Sequence, residues 1–398
     1  MTSSPLPLIR LKPKVQPRAI RHGFPWVYDN EIVTDRRTKA LAPGSLAILE
    51  DAARDPLALV AVNPGSRIMA RVLSHDITTQ ITKDWLKSRL SRALQTRETL
   101  FDAPFYRLIH AEADGLPGVI IDRFGDIAVI QPNAAWIEAL LPELTAALTE
   151  VTGVTTILKN ASGRARALEG LDDEPGVLTG SRPSAPIAVP MNGATYMADL
   201  TGGQKTGLFF DQRPNHAFAT KLAKGARVLD VFSHVGGFGL AALHAGAKSV
   251  LAVDGSAPAL NLANQGAGLM GVGNQFQTRQ GDAFDTLAAL GDEDARFDLV
   301  ICDPPSFAPT KKALEAGLRA YERISRLASG IVAENGYLVL CSCSHAATLD
   351  KFRAASIRGI GRAGRSGALL RTGFAGPDHP LHPQLAESGY LKALFFRL

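Results

Sequence analysis

The sequence predicts an α/β protein whose C-terminal half is an open, doubly wound parallel sheet, preceded by a small β unit and a central α+β unit. Three observations carry this. Residues 191–398 alternate short β-rich runs with helical stretches, the pattern of strands joined by crossover helices. A glycine-rich loop, Gly236-Gly237-Phe238-Gly239, follows one of those strands and opens a helix. Residues 1–75 are short-stranded and rich in turn residues.

In the first zone, "LIRLKP", "SLAILED", "ALVAVN" and "IMARVLS" read as strands of a small β domain. Between them "RHGFPWVYDNEI" mixes Arg21, His22, Trp26 and Tyr28. That mixture suits stacking on bases and pairing with phosphates, and equally suits a small core with a basic rim. Residues 76–190 form the central zone. "ITKDWLKSRLSRALQTRETL" predicts a helix with Trp85, Leu86, Leu90, Leu94 and Leu100 near one face. "GVIIDRFGDIAVIQP" predicts two strands turning at Phe124-Gly125-Asp126. A helix, "AAWIEALLPELTAALTEV", and a strand, "TTILKN", follow. "GSRPSAPIAVPMNG" reads as a linker or an edge-strand crossover. In the third zone "ARVLDVF", "SVLAVDG", "QFQTRQGD", "FDLVICD" and "GYLVLCSCS" are the strands, and 237–246, 257–270, 283–290 and 311–333 the helices.

Composition narrows the function classes. The 398 residues suffice for two or three domains. No apolar run reaches the ~18 residues that a membrane-spanning helix needs. Four prolines, at positions 5, 7, 13 and 17, interrupt the basic N-terminus and argue against a transit peptide. The three cysteines, Cys302, Cys341 and Cys343, lie in the last third and make no disulfide framework. They suit a reducing, cytoplasmic setting, and Cys-Ser-Cys lacks the second ligand pair of a zinc site. The first 100 residues carry 16 Lys+Arg against 9 Asp+Glu, and the remainder 27 against 29, so all of the net +5 comes from the N-terminal end. That asymmetry suits contact with a polyanion; a solvated basic face is the plainer reading.

The glycine loop is the most informative segment. The preceding strand carries Asp230 and the next ends at Asp254. Glycines admit close backbone approach, a helix N-terminus favours electronegative groups, and Asp254 is placed to accept from both hydroxyls of a ribose. Gly237-Phe238-Gly239-Leu240-Ala241-Ala242 also matches the dinucleotide pattern G-x-G-x-x-A, so a nicotinamide dehydrogenase is a rival. Against it, five residues, Val231 to Val235, separate the strand from the glycines. Asp230 itself suits the methionine end of S-adenosyl-L-methionine.

"FDLVICDPPSF" ends the fourth strand with Asp303-Pro304-Pro305-Ser306-Phe307. In open α/β sheets ligands bind beyond the carboxyl ends of strands, and two prolines there stiffen the loop beside an Asp. Methyltransferases acting on amino groups of bases use a similar Asp-Pro-Pro-aromatic run; here the aromatic is displaced by one position. "GYLVLCSCSH" adds cysteines at the end of the fifth strand. A thiolate adding to C6 of a pyrimidine makes C5 nucleophilic, so Cys343 is a candidate covalent nucleophile, with a buried structural thiol as the alternative. Cys341, two residues earlier, is expected on the same face of the strand in a packed role, and Cys302 in the core.

Taken in order, these motifs resemble the bacterial large-subunit ribosomal RNA 5-methylcytosine methyltransferases built from a PUA-like domain, a central α+β domain and a Rossmann-like class I S-adenosylmethionine-dependent methyltransferase domain. "RHGFPWVYDNEI", "RLIHAEADGLPGVIIDRFGD", "GGQKTGLFFDQRPNH", "DVFSHVGGFGL", "VDGS", "CDPPSF", "CSCSH" and "DHPLHPQLAESGYLKAL" carry the resemblance over nearly the whole chain. The matching domains are 1–75, 76–190 and 191–398. The resemblance implies that Gln212 and Arg213 lie beside the cofactor, and that Asp230 with Gly236, Gly237 and Gly239 holds its methionine part. It puts Asp254 on the ribose, Asp282 near the adenine, and Asp303 between cofactor and base. Cys343 then stands at the nucleophile position. Ser233-His234 replaces the family's usual Tyr-Thr before the glycines. Arg18, Arg21, Arg36 and Arg37 are candidates for gripping ribosomal RNA, extended by Lys159 and Arg164. No metal and no membrane partner are expected, and a homodimer is compatible. A related class that methylates guanine without a covalent adduct is the alternative, and a nonenzymatic RNA-binding or assembly factor a third.

Overall fold

The computed structural model describes residues 5–202, 207–385 and 388–398. Residues 203–206 of "GGQKTG" and 386–387 of the C-terminal motif fall outside the described residues. The chain forms two compact units, Met1–Arg182 with Pro377–Ala386, and Pro183–Gly376 with Glu387–Leu398.

The first unit holds two five-stranded sheets. The first sheet contains β1 (Leu8–Arg10), β2 (Trp26–Tyr28), β3 (Ser45–Glu50), β4 (Pro56–Val62) and β5 (Ile68–Ser74), in the order β1-β3-β4-β5-β2. Single helical turns, α1 (Arg18–Arg21) and α2 (Arg36–Lys39), lie in its loops. Ile9, Leu11, Val27, Leu49, Val60 and Met69 form its core. The strand β2 sits inside the segment read only as an aromatic and basic mixture. There Trp26 donates from its indole to Glu112, 2.8 Å, and stands edge-on to Phe24 and Tyr28.

The second sheet follows α3 (Lys83–Leu100), which Thr82 caps. Its strands are β6 (Phe105–His110), β7 (Val119–Phe124), β8 (Ile127–Pro132), β9 (Thr156–Lys159) and β10 (Gly176–Thr179), with α4 (Ala135–Glu138), α5 (Leu141–Thr152) and α6 (Arg164–Leu168) between them. The order is β10-β9-β8-β7-β6. Leu86, Leu90 and Ala93 of α3 are buried as helical spacing predicts, and so is Arg97. Leu100 is exposed.

In the second unit "IAVPMNGATYMA" forms a hairpin rather than a linker: β11 (Ile187–Met191) pairs antiparallel with β12 (Ala194–Ala198). Asn192 and Gly193 turn it with φ of 53° and 77°, the left-handed pair of a tight hairpin. After α7 (Arg213–Thr220) comes the main sheet. Its members are β13 (Arg227–Val231), α8 (Gly237–His244), β14 (Ser249–Asp254), α9 (Ala257–Leu269), β15 (Phe276–Gln280), α10 (Ala283–Asp292), β16 (Phe297–Cys302), α11 (Leu314–Gly330), β17 (Val332–Ser342), α12 (Leu349–Arg362), β18 (Ala368–Gly373) and β19 (Lys392–Arg397).

The strand order is β15-β14-β13-β16-β17-β19-β18. The first five are parallel, and β19 runs antiparallel between β17 and β18. Near-continuous apolar runs such as "LVIC" and "LVLC" mark strands covered on both faces. The order reverses direction at β13, so the carboxyl ends of β13, β14 and β16 surround a switch point where such sheets bind ligands.

Candidate active site

Four strand ends, those of β13, β14, β16 and β17, and the turn after β13 build the site. At the end of β13, Asp230 is wholly buried. Gly239 donates its backbone N–H to Asp230 Oδ2 at 2.8 Å. The other oxygen, Oδ1, has no partner. Burial, with a lesser push from Asp254, raises this carboxyl from its ordinary 3.8 to about 7. A carboxylate held this way is stabilised by a cationic ligand.

The loop after β13 bends sharply, with Phe232 and His234 at φ of 61° and 50° and Gly236 at 83°. It ends on the first turn of α8. A Cβ at Gly239 would stand 2.8 Å from Val250 Cγ1 and 3.2 Å from Asp230 Oδ2, so only glycine lets the helix start lie on that carboxylate. At Gly237 a Cβ would meet the His216 ring at 3.0 Å. Tyr196 of β12 donates to the Gly237 carbonyl at 3.0 Å. Neither Tyr196 nor His216 stands out in the sequence. His216 lies in the "FFDQRPNH" run, where polar residues on an otherwise buried segment are the only cue. Burial drives His216 down to about 3, which keeps it neutral.

Gln212 and Arg213 lie at the start of α7. Gln212 is buried; its Oε1 accepts from Asn215 Nδ2 at 2.7 Å, and Nε2 is unpartnered. Ser233 Oγ is likewise buried without a partner. The Arg213 guanidinium lies 5.5 Å from the Phe210 ring centre. Asp254, at the end of β14, accepts from the backbone N–H of His234 at 2.9 Å and of Ser256 at 2.8 Å. Those bonds fix the carboxylate that is expected on a ribose. Asp282 is exposed and caps α10, with Oδ1 accepting from Phe284 N at 2.8 Å and Asp285 N at 3.1 Å.

The ends of β16 and β17 are neighbours, with Cys302 opposite Leu340. The strand β17 stops at Ser342, so Cys341 lies within it and Cys343 follows its end. Cys341 and Cys302 are buried, and burial pushes both thiols well up. Cys343 is partly exposed, and its Sγ lies 4.0 Å from the Pro304 carbonyl oxygen of Asp303-Pro304-Pro305. Hydroxyls lock the two loops together. Tyr321 of α11 receives a hydrogen bond from Ser342 at 2.8 Å and shares one with Ser344 at 2.7 Å. Ser344 Oγ in turn accepts from Ala308 N at 3.0 Å and bonds Ser306 at 3.0 Å. Nothing in the sequence signals this network, because it links four elements through residues that are common in loops.

The unpartnered acceptor on Asp230 and the unpartnered donor on Gln212 match the charged ends of an amino acid. The glycine start of α8 and the Asp254 carboxylate match a nucleoside. A ligand combining an amino acid with a nucleoside therefore fits these residues.

Comparison with known proteins agrees. The S-adenosylmethionine-dependent methyltransferase family matches residues 161–397, and a PUA-like domain matches residues 9–75. The ribosomal RNA large subunit methyltransferase of Deinococcus radiodurans is 34% identical, over 100% of this chain and 99% of that one. The ribosomal RNA large subunit methyltransferase I of Aeromonas salmonicida is 35% identical, over 86% and 87%. Among solved structures, a candidate SAM-dependent methyltransferase from Streptococcus mutans superposes with a TM-score of 0.82 at 19% identity, covering 99% and 100% of the two chains. Another of the same fold, SMU.776, was solved in complex with SAH, with a TM-score of 0.83. With a parallel sheet of this order, a glycine turn over Asp230 and relatives aligned along their whole length, the chain belongs to the S-adenosylmethionine-dependent methyltransferase family, among the large-subunit ribosomal RNA methyltransferases that carry an N-terminal PUA-like domain.

Proposed function

We propose that this protein methylates C5 of a cytosine in large-subunit ribosomal RNA, with Cys343 as covalent nucleophile. The observation that carries the reading is the position of Cys343: the one partly exposed thiol of the three stands at a strand end, against the Asp303-Pro304-Pro305 loop. The relatives' activity on ribosomal RNA supports the choice of substrate.

Asp230, the Gly236–Gly239 turn, Gln212 and Arg213 hold the methionine end of S-adenosylmethionine. Asp254 holds the ribose, and Asp282 lies by the adenine. Bound there, the cofactor supplies an electrophilic methyl group. C5 of cytosine is too weak a nucleophile to take it unaided. The Cys343 thiolate adds to C6 and moves an electron pair to C5, which could then take a methyl group whose bond to the sulfonium sulfur would break as the bond to C5 forms, the neutral thioether leaving. A base then removes the C5 proton, the C5–C6 double bond re-forms, and the thiolate leaves. Asp303 faces the N3–N4 edge of the base, where a carboxylate accepts from the N4 amine and so favours cytosine over uracil. The target nucleotide must be out of its stack to reach a strand-end site of this kind. Arg18, Arg21, Arg36 and Arg37, all exposed in the PUA-like domain, are the proposed contacts to the RNA backbone, with Arg164.

The test uses ribosomal RNA, methyl-labelled cofactor and mass spectrometry of the nucleosides. The expected product is 5-methylcytidine, and a Cys343→Ala variant gives none while still binding S-adenosylhomocysteine. A methylguanosine product would replace this reading with the noncovalent guanine route. A variant that keeps turning over would exclude the thiolate.

A further inference from the structure

Lys392 opens β19, directly across the antiparallel pair from Ser342 and therefore beside Cys343. Its side chain is buried, the residue being 4% exposed. The ammonium donates to the backbone carbonyls of Ser344 at 2.7 Å and Ala347 at 2.8 Å. Among the described residues it makes no ion pair with any carboxylate. A buried lysine is seldom tolerated without an anionic partner, because desolvation penalises the charged form. The surroundings name one candidate partner. The turn that the ammonium clamps carries two ionisable side chains, Cys343 and His345, and of these the Cys343 thiol opposes the effect of burial on the lysine.

We infer that Lys392 is a positioning residue for Cys343: it clamps the turn that carries the sulfur and supplies the positive charge that makes the sulfur a thiolate. The inference rests on the covalent reading proposed above. Its physical basis is general. A cation fixed beside a thiol lowers the thiol's pKa, commonly by one unit or more from about 8.5. Among the described residues, other ionisable groups also lie around this turn: His345 on the turn itself, its ring centre 5.6 Å from that of Tyr390, and Tyr321, Cys341 and Asp303. Tyr321 of α11 is held neutral by burial, and Cys341 of β17 likewise. Asp303, at the end of β16, carries the sign that opposes a thiolate. Burial lowers Lys392 from 10.5 to about 8. The charge therefore acts below about pH 8 and fades above it, so the pair works from the thiol midpoint up to about that pH.

The experiment is alkylation of the full-length protein by iodoacetamide across pH 5.5–9.5, with the Cys343 peptide quantified by mass spectrometry. Buried Cys302 and Cys341 serve as slow internal controls. In the wild type the midpoint for Cys343 is expected at least one pH unit below the ordinary value of about 8.5. Lys392→Met should raise it by about one unit, which is about tenfold slower labelling at pH 7, and Lys392→Arg should stay near the wild type. A purely structural lysine would change stability without moving the midpoint between folded variants. A wild-type midpoint at or above 8.5 overturns the inference even if no variant folds, and so does a folded Met variant with an unchanged midpoint. The two readings separate cleanly. If Cys343→Ala still methylates RNA while Lys392→Met shifts the midpoint, the covalent mechanism fails and the pairing stands. If Cys343→Ala is inactive and the midpoint is unmoved, the pairing fails and the mechanism stands.

Discussion

Replacing Asp230 with Asn should stabilise the ligand-free protein at neutral pH and weaken it as a cofactor binder. Asp230 is wholly buried, with one oxygen held by Gly239 N–H and the other unpartnered. Its carboxyl is raised from 3.8 to about 7, roughly three units, which corresponds to about 4 kcal/mol at most. The sign follows from proton counts. Below about pH 4 the group is protonated whether folded or unfolded, and contributes nothing. Between about 4 and 7 only the unfolded chain ionises, so the folded state loses ground as pH rises. Above about 7 the penalty is constant. Relative to a neutral amide, the wild type is therefore penalised by about 1.5 kcal/mol at pH 5 and about 4 kcal/mol at pH 8. Asp230→Asn should gain about 2.5 kcal/mol more at pH 8 than at pH 5.

Urea unfolding followed by far-UV circular dichroism measures this. With S-adenosylhomocysteine present the order should invert, because the wild-type carboxylate gains a cationic partner and the amide does not. A variant whose stability tracks the wild type in parallel from pH 5 to pH 8 would refute the raised carboxyl and, with it, the account of why this residue holds a cationic ligand.

Gly239→Ala should destabilise by about 1–3 kcal/mol and abolish tight S-adenosylhomocysteine binding, because its Cβ would press on Val250 Cγ1 at 2.8 Å; calorimetry reads the second effect directly. His216, lowered to about 3, should show no titration of its ring protons by NMR between pH 5 and 8. Replacing Arg18, Arg21, Arg36 and Arg37 together with Ala should reduce the salt slope of RNA binding by about 0.7 for each single-stranded phosphate that these arginines neutralise. An unchanged slope would move the RNA footprint elsewhere. Lys159→Ala should instead lower stability and leave the slope alone, since Lys159 pairs with Glu138 at 2.6 Å and Asp172 at 3.3 Å.

The methyltransferase sheet was readable because its signals are local. Apolar runs such as "LVIC" bracketed by helical stretches specify buried parallel strands, and a glycine loop between Asp230 and Asp254 specifies a ligand turn. The helices fell within a few residues of their expected bounds; the stretch read as 311–333 is a single-turn start and then Leu314–Gly330. What escaped was non-local. The hairpin Ile187–Ala198 hid behind prolines and serines, because Asn192-Gly193 is a turn only if both flanks pair. That β17 ends between Cys341 and Cys343 escaped because the end is set by pairing with β16 and β19, not by anything in "CSCSH" itself. Tyr321, Ser344 and Lys392 belong to the site only through hydrogen bonds that span 21 to 48 positions of sequence.

Buried cations escape a reading of the sequence for the same reason. The charge excess of the first 100 residues treats every basic side chain as available to a polyanion, yet Arg97 is buried at 1% exposure and held bidentate by Asp114. Arg166 is equally buried between Glu138 and Asp172, and Arg107 pairs with Asp122. In each case a carboxylate, or two, answers a guanidinium that is buried or, for Arg107, partly buried, as the desolvation penalty demands. Lys392 is buried like them, but among the described residues peptide carbonyls alone answer it. Carbonyl dipoles satisfy an ammonium's hydrogen bonds without cancelling its charge, so that charge stays available to whatever anion can form nearby. Beside Cys343 that anion is a thiolate, and because no carboxylate among the described residues pairs with the lysine, its charge is left to the sulfur.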